Sequence, residues 1–500
     1  MVGSGDNRWR RVKIVTFAQV KEQQNLARVL GKREFQSAAL FDKHTQIPTE
    51  NIVVRMVFGH YIPPLGLKNL HSYKYSSGGY TPLDKVMNPW WEFVASLVPA
   101  TVHPNVLTVL GFLCAIGASI LQLTYSVTLS EEAPRWVYLA VAFLFFLYQT
   151  FDAIDGKHAR RNSLSSPLGQ LFDHGCDIIL ATPLTLVSIA VITAGTGIVQ
   201  HAIAMSSSQA LQFIYMWWEL HFHVFYAATG FLGVTEAQMG VMAMALVSGT
   251  VGPWVWRYNL LKLLPSPLKD MAGSVMSMFN TDLNGLFLVQ ATLVACNLPA
   301  LVYDVVMGIV RAPKRPLAAS QIFGLICYMV LQGALWHTCL EGPLEARTSP
   351  GLVYFTVTTS YSILLLRICL SATCRFPFKL VNFPVVPFFL TAAGIVTSPW
   401  CRTHRYALLA MVSIWNVVYL ADFLYTSVSD VCSSLDISCF RVDYCKKKDG
   451  AQSAKGTPGT AEGETQGLKR RGKAAELVAH EDENIPVATV SSRENRRRGA

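Results

Sequence analysis

Apolar runs, most of them long enough to cross a lipid bilayer, recur through this 500-residue chain. A membrane-spanning helix needs about 20 predominantly apolar residues. The runs therefore predict an all-α, polytopic integral membrane protein with about ten transmembrane helices. The predicted spans are 105–125, 136–152, 177–199, 209–230, 238–256, 284–308, 317–336, 351–371, 383–398 and 406–427. The fifth and ninth are short or contain proline, so eight or nine spans are also consistent with the sequence.

The charge content excludes a large soluble domain. Only 15% of the residues are charged, against roughly a quarter in a typical soluble protein. The net charge is +10, and basic residues gather near the N-terminus, at 311–316 and in the C-terminal tail. The positive-inside rule predicts cytosolic termini and a cytosolic loop between spans two and three, although the basic loop at 257–270 disagrees. We interpret the basic clusters as orienting signals that attract anionic lipid, and we expect no nucleic-acid partner.

Shifts in composition predict four regions. Residues 1–60 form a cytosolic N-terminal segment with a helix around 17–40, and residues 61–104 form an interfacial amphipathic segment. Residues 105–428 form the transmembrane domain, and residues 429–500 form a disordered, basic cytosolic tail. The 11 cysteines are scattered without a C-x-x-C pair, so neither a disulfide framework nor a zinc site is expected.

Four aspartates lie in the segment DAIDGKHARRNSLSSPLGQLFDHGCD, residues 152–177, where the second span gives way to the third. Asp152 and Asp155 are three residues apart, and Asp173 and Asp177 are four apart, so each pair occupies one face of a helix. The second span would end with one pair, the third would begin with the other, and a turn near NSLSSP would bring the pairs together. Converging carboxylates at a membrane edge repel one another, which cation binding relieves. An all-oxygen site of this kind suits two Mg²⁺ or Mn²⁺ ions roughly 4 Å apart, as in phosphoryl transfer.

The residues around the aspartates fit a phosphate-bearing ligand. Gly156, Ala159 and Gly169 keep the surface thin enough for a phosphate or nucleotide to approach closely. Lys157 and Arg160 supply positive charge for a diphosphate, and an arginine binds two oxygens at once. Helix capping is the alternative explanation, and it suits an aspartate at a helix start. It does not explain acidic residues at a helix C-terminus, where the helix dipole disfavours anions.

The pattern D-x-x-D-G-x-x-A-R-x8-G-x3-D-x3-D, which runs from Asp152 to Asp177, is the signature of CDP-alcohol phosphotransferases. All eight fixed residues are present. The segments DGKHARRNSLSSPLGQLFDHGCD, LKNLHSYKYSSGGYTPLDKVMNPWW, HPNVLTVLGF, GVTEAQ and YLADF resemble the eukaryotic choline/ethanolamine phosphotransferase branch, over about residues 65–428. Two residues depart from that branch: His158 replaces the usual Gln, and Gln170 replaces the usual Glu. If that Glu helps to recognise the alcohol or assists proton transfer, selectivity or base assistance differs in this chain.

The resemblance implies an enzyme that transfers phosphocholine and/or phosphoethanolamine from CDP-choline or CDP-ethanolamine to diacylglycerol and releases CMP. It implies Asp152, Asp155 and Asp173 as the main metal ligands, with Asp177 completing the site and acting as general base on the lipid hydroxyl. The substrate-binding residues that it implies are Gly156, Lys157, Ala159, Arg160, Gly169, Gln170, Asn105 and Thr108. It also implies a homodimer in the endoplasmic reticulum or Golgi membrane, with a cytosolic active site.

Other polar and aromatic residues in the spans allow two interpretations each. His174 either assists proton transfer as a second catalytic residue or orients a neighbour. Glu219 and His221 either line the path of the lipid or choline or form hydrogen bonds between helices. Trp217 and Trp218 either hold a quaternary ammonium group or, as we expect, anchor a helix at the membrane interface.

Two rival functions stay open at this point. One is a CDP-alcohol phosphotransferase that uses another alcohol, such as inositol. The other is a polytopic transporter whose acidic residues relay cations. Transporters often contain repeats and acids at mid-membrane, whereas these acids cluster once, at one face.

Overall fold

Helices dominate the structure, a computed structural model that describes residues 60–73, 81–192, 198–225, 228–229, 232–278, 282–340, 349–378 and 383–442. The first compact unit is Met1–Val442, and the second, Asp443–Ala500, lies outside the described residues. The helix predicted around 17–40 and most of the predicted tail also fall outside them.

The elements are labelled here in chain order. The helices are α1 (Pro64–Leu70), α2 (Pro82–Leu97), α3 (Pro104–Tyr125), α4 (Arg135–Arg161), α5 (Pro167–Ile192), α6 (Ile198–Phe222), α7 (Val234–Thr250), α8 (Ser266–Met278), α9 (Gly285–Arg311), α10 (Arg315–Leu340), α11 (Pro350–Thr373), α12 (Val386–Thr397), α13 (Pro399–Thr403) and α14 (Arg405–Leu435). Short 3₁₀ turns lie at Pro253–Arg257, Leu260–Leu263 and Phe383–Val385. Two strands of two residues each, β1 (Ala228–Thr229) and β2 (Leu232–Gly233), pair antiparallel before α7.

The predicted all-α, polytopic membrane fold is confirmed. Within the described residues, seven helices are long and apolar enough to cross a membrane, namely α3, α4, α5, α9, α10, α11 and α14. The other three predicted spans also coincide with helices, but α7 has 17 residues and α12 has 12. The third, α6, has 25 residues and contains three consecutive serines and Glu219. The estimate of about ten spans therefore exceeds the seven helices that qualify by length and composition.

The two helices that carry the aspartates extend further into the polar segment than predicted. α4 continues past Asp152 and Asp155 to Arg161, and α5 begins at Pro167, before Asp173. The aspartates therefore lie inside helices, and the expectation that they mark helix ends is wrong. A turn at residues 162–163, followed by residues 164–166 without regular structure, joins the helices, as the NSLSSP segment predicts.

Packing places these two helices at a supported position in the bundle. Both α4 and α5 pack against α3, and α5 also packs against α11. α11 is the most enclosed span, with 78% of its apolar stretch buried, against 6% for α9. The shared neighbour α3 thus positions the two aspartate-bearing helices relative to each other, and α11 supports α5.

The segment predicted to lie in the membrane interface contains α2, whose two sides differ. Trp91 and Ala95 are buried, whereas Val86, Phe93 and Leu97 are exposed. The buried side packs in one apolar cluster with residues of α4. A helix with one packed side and one apolar exposed side suits a position along a membrane surface.

Gly308 allows α9 to pack directly on α6, and this contact gives a prediction. A methyl group at position 308 would overlap the indole ring of Trp217, which is fully buried. We expect Gly308→Ala to destabilise the protein, because overpacking of this kind costs about 1–3 kcal/mol. The melting temperature of the detergent-purified protein measures the effect.

Gly333 in α10 offers a matched control, since an added methyl group would meet nothing within 4 Å. Gly333→Ala should leave the melting temperature unchanged or raise it slightly, because alanine favours helix. Equal effects of the two substitutions would contradict the proposed packing of α9 on α6.

Candidate active site

Three of the four aspartates converge. Asp152 of α4 and Asp173 and Asp177 of α5 each offer a carboxylate oxygen, and these oxygens lie within 4.8 Å of one another. The two residues on α5 are one helical turn apart, so both face α4 at once.

The fourth aspartate has a separate partner. Asp155 is buried, and its Oδ2 accepts a hydrogen bond from the hydroxyl of Thr108, in the first turns of α3. It lies beside the three converging carboxylates but outside their group. The structure thus brings Thr108 to the site, where it fixes one carboxylate in place.

The donor set of this site fits a hard divalent cation. No ion pair to the four aspartates occurs among the described residues. Oδ1 of Asp173 is buried and accepts no hydrogen bond from a described residue. Carboxylate oxygens at this spacing are the ligands that Mg²⁺ and Mn²⁺ prefer, and such an ion would offset the repulsion among them.

Tyr148 is a site residue that the sequence analysis missed. Its hydroxyl donates a 2.8 Å hydrogen bond to Oδ1 of Asp177. The spacing could have revealed it, because Tyr148 lies four residues before Asp152 and therefore on the same helix face. In the sequence, however, it sits within an apolar run where a tyrosine is unremarkable.

The basic residues of the motif separate into two places. The exposed guanidinium of Arg160 lies over Gly156, since a Cβ on Gly156 would be 3.4 Å from Nη1 of Arg160. Lys157 instead forms a 2.9 Å ion pair with Glu92 and a hydrogen bond with Asn88, both on α2. The predicted role of Lys157 toward a diphosphate stays a prediction, and its observed contacts hold α2 against α4.

The two motif glycines are not required by the packing of the protein itself. A Cβ on Gly169 would make only ordinary contacts, at 3.5 Å to Oγ of Ser166 and 3.8 Å to Oδ1 of Asn105. A Cβ on Gly156 would likewise make its nearest contact at 3.4 Å, with Nη1 of Arg160. Gly156 and Gly169 both have helical backbone, so any need for glycine comes from the surface that they leave open.

Neighbouring residues of the motif support the loop and the helix ends. The imidazole Nε2 of His158 lies 2.9 Å from the backbone oxygen of Val102, and this histidine is fully buried. The backbone oxygen of Ala159 accepts a hydrogen bond from Leu164 in the turn. Of the two residues that depart from the family pattern, His158 therefore contacts the backbone of the segment just before α3.

Asn105 lies next to Gly169, but its amide is engaged by the end of the described chain. Its Nδ2 donates to the backbone oxygen of Cys439 at 2.9 Å. The ring of Phe440 also packs edge-on against Phe172, with centroids 5.7 Å apart. The segment after α14 thus contacts both α3 and α5 beside the aspartates, a contact that the sequence did not predict.

A second polar cluster adjoins the site at Gln170. Nε2 of Gln170 donates to Oε1 of Glu219 at 3.1 Å, and its Oε1 accepts from the hydroxyl of Tyr73. His174, one turn further along α5, has its Nδ1 3.9 Å from Oε2 of Glu219. These four residues come from three separate parts of the chain.

The aromatic residues near Glu219 differ from expectation. Trp217 is fully buried, and its Nε1 donates to Oε1 of Gln321 at 2.9 Å. Nε2 of His221 lies 2.8 Å from the same oxygen. The prediction that Trp217 anchors at the membrane interface is therefore wrong, and His221 forms an interhelical hydrogen bond.

A comparison with known protein families gives one match in the region of this site. Residues 101–264, which include all four aspartates, match the model of the CDP-alcohol phosphatidyltransferase family. This part of the chain is therefore similar to members of that family. The resemblance found in the sequence motif is thereby confirmed.

Curated relatives share the same region. The uncharacterized CDP-alcohol phosphatidyltransferase class-I family protein 2 of Dictyostelium discoideum is 37% identical over 202 residues, which are 40% of this chain and 48% of that protein. Cholinephosphotransferase 1 of Xenopus laevis is 34% identical over 240 residues, 45% of this chain and 58% of the relative. Choline/ethanolaminephosphotransferase 2 of Arabidopsis thaliana is 28% identical over 395 residues, 76% of this chain and 98% of the relative. The first two matches thus span about half of each relative.

Repulsion among the carboxylates predicts an unusual response of stability to metal. In the presence of a chelator, Asp173→Asn should raise the melting temperature of the purified protein, because it removes one of the repelling charges. Excess Mg²⁺ or Mn²⁺ should stabilise the unsubstituted protein more than the variant. A ligand at 100 times its Kd stabilises a protein by about 2.7 kcal/mol.

Asp270→Asn, on the exposed side of α8, serves as the control for loss of one negative charge. It should melt like the unsubstituted protein with and without metal. If the metal raised the melting temperature of Asp173→Asn as much as that of the unsubstituted protein, the aspartates would not be the binding site.

Proposed function

We propose that this protein is a choline and/or ethanolamine phosphotransferase. It transfers phosphocholine or phosphoethanolamine from CDP-choline or CDP-ethanolamine to the hydroxyl of diacylglycerol and releases CMP. The observation that carries the proposal is the convergence of Asp152, Asp173 and Asp177 from two helices that both pack against α3, within the region that matches the family. The names of the Xenopus and Arabidopsis relatives support the choice of donors.

The carboxylates supply a site for divalent cations. Asp152, Asp173 and Asp177 would hold Mg²⁺ or Mn²⁺, with Asp155 beside them as a further ligand braced by Thr108. Two such ions, when bound, offset negative charge on the donor diphosphate as its anhydride bond breaks. The unpartnered oxygen of Asp173 and the lack of a described counter-charge support this assignment.

The exposed side of the site would bind the donor. Arg160 lies over Gly156, where its guanidinium can bind phosphate oxygens bidentately. Gly169, near Asn105, leaves the facing surface open for the nucleotide. Ala159 keeps the same surface of α4 thin. Gln170, in the polar cluster with Tyr73 and Glu219, would contact the acceptor.

The hydroxyl proton of diacylglycerol would be transferred to a side chain of α5. The hydroxyl oxygen of diacylglycerol forms a bond to the phosphorus that carries the alcohol, and the bond from that phosphorus to the oxygen of CMP breaks. Asp177 is the proposed general base, and His174, three residues earlier on the same side of α5, is the proposed second catalytic group. The hydrogen bond from Tyr148 orients the Asp177 carboxylate for this role.

The position of the site suits substrates of opposite solubility. A charged donor would arrive from the aqueous phase, and diacylglycerol would arrive laterally from the bilayer. The proposal therefore places the site at the cytosolic edge of an endoplasmic reticulum or Golgi membrane, with the termini also cytosolic. A homodimer is carried over from the family resemblance as part of the proposal.

The two rival functions have less support. A family member that uses another alcohol, such as inositol, is consistent with the metal site, but the names of the Xenopus and Arabidopsis relatives favour choline or ethanolamine. A cation-coupled transporter does not account for the match of residues 101–264.

A direct assay tests the proposal. Purified protein in mixed micelles with Mg²⁺ and diacylglycerol should release CMP from labelled CDP-choline, CDP-ethanolamine or both, tested separately and then mixed. Asp177→Asn should lower kcat by about 100- to 10,000-fold, the range expected for loss of a general base. Its melting temperature should show that the fold is kept.

Asp270→Asn should retain full turnover and is the control variant. Absence of CMP release with either donor would overturn the proposal. Turnover only with CDP-diacylglycerol and a free alcohol such as inositol would favour the rival within the family.

A further inference from the structure

Glu219 has a buried carboxylate that the reaction described above does not use. The residue is only 4% exposed. Its Oε1 accepts from Gln170 and lies 3.4 Å from the hydroxyl of Tyr73. Its Oε2 forms no hydrogen bond with a described residue and lies 3.9 Å from Nδ1 of His174. Burial of a carboxylate is costly unless it is paired, so this position beside a proposed catalytic histidine calls for a cause.

Position 170 of α5 carries an amide, and the carboxylate that this amide contacts, that of Glu219, comes from α6. Gln170 both accepts from Tyr73 and donates to Glu219. A glutamate at position 170, which the family resemblance leads us to expect, has no N–H to donate. It would also place two carboxylates in contact in a poorly solvated cluster, where like charges repel strongly. The chain therefore keeps one carboxylate in the cluster, but on α6 instead of α5.

Two side chains lie against the imidazole of His174, on different sides of the ring. Its Nδ1 edge faces the carboxylate of Glu219. The ring of Phe225 packs against it, with centroids 4.5 Å apart. His174 itself is 5% exposed. Side chains outside α5 therefore lie against the ring on two of its sides.

We propose that Glu219 is a positioning residue for His174, and that it replaces the carboxylate expected at position 170. The inference rests on the proposed function, in which the acceptor oxygen bonds to phosphorus, the bond to the oxygen of CMP breaks, and the hydroxyl proton passes to Asp177, with His174 as the second catalytic group beside it. Glu219 fixes the imidazole through its Nδ1 edge and places a negative charge beside it as that proton moves. If Glu219 only formed hydrogen bonds between α5 and α6, its substitution would lower the stability of the protein without affecting turnover.

Exchange of the two side chains tests this proposal. Glu219→Gln should lower kcat by about 100-fold, within the range for loss of acid–base assistance, and should change the KM for donor and for diacylglycerol by less than about threefold. Gln170→Glu combined with Glu219→Gln should restore kcat to within about fivefold of the unsubstituted protein, because a carboxylate returns to the cluster and the amide at 219 can donate to it. Gln170→Glu alone should lower the melting temperature, because two carboxylates then meet.

Binding and stability measurements separate positioning from folding. The increase in melting temperature caused by CMP with Mg²⁺ should be the same for Glu219→Gln as for the unsubstituted protein. Asp304→Asn, which also removes a partly buried helical carboxylate, should retain turnover because Asp304 lies on α9, which carries none of the proposed site residues.

The outcomes distinguish this inference from the proposed function. No turnover of the unsubstituted protein with either donor would overturn both. Turnover of the unsubstituted protein together with a kcat of Glu219→Gln within threefold of it would overturn only the role of Glu219. An exchanged variant as slow as Glu219→Gln alone would do the same.

Discussion

Repulsion among poorly solvated carboxylates is the constraint on which the rest of the structure depends. Asp152, Asp173 and Asp177 place oxygens within 4.8 Å of one another, without an ion pair from any described residue. A medium of low dielectric strengthens such repulsion. The helices that carry these residues are therefore held together by other contacts, through α3 on both and α11 on α5. A site carried on packed helices keeps its geometry better than one carried on loops.

Side chains around the aspartates link this site to α2, the helix predicted to lie in the membrane interface. Lys157 pairs with Glu92 of α2, and Asp84 at the start of α2 accepts a 2.6 Å hydrogen bond from Thr235 of α7. α2 is thus attached both to the helix that carries Asp152 and to the helix that packs beside it. One motif therefore serves two purposes, since Lys157 holds α2 in place while Arg160 lies over Gly156.

Features that depend on local spacing could be predicted from the sequence, and features that depend on distant partners could not. The spans, the turn at NSLSSP and the pairing of aspartates on helix faces follow from periodicity within a few residues. The contacts of Lys157 depend on Glu92 of α2, which lies 65 residues earlier in the sequence. The contact of Gln170 with Tyr73 joins residues 97 apart, and its contact with Glu219 joins residues 49 apart. Helix ends were missed because polar residues at a site can continue a helix that begins in lipid.

A gradient of burial across the site gives the proposed chemistry a direction. Arg160 is exposed, the three converging aspartates are half-buried, and His174 and Glu219 are almost fully buried. A nucleotide with two phosphates loses least hydration at the exposed side, whereas an uncharged lipid hydroxyl is tolerated at the buried side. The groups proposed to manage the proton lie at that buried side, where water competes least for the acceptor oxygen. The exclusion of water there would favour transfer to the lipid over hydrolysis of the donor.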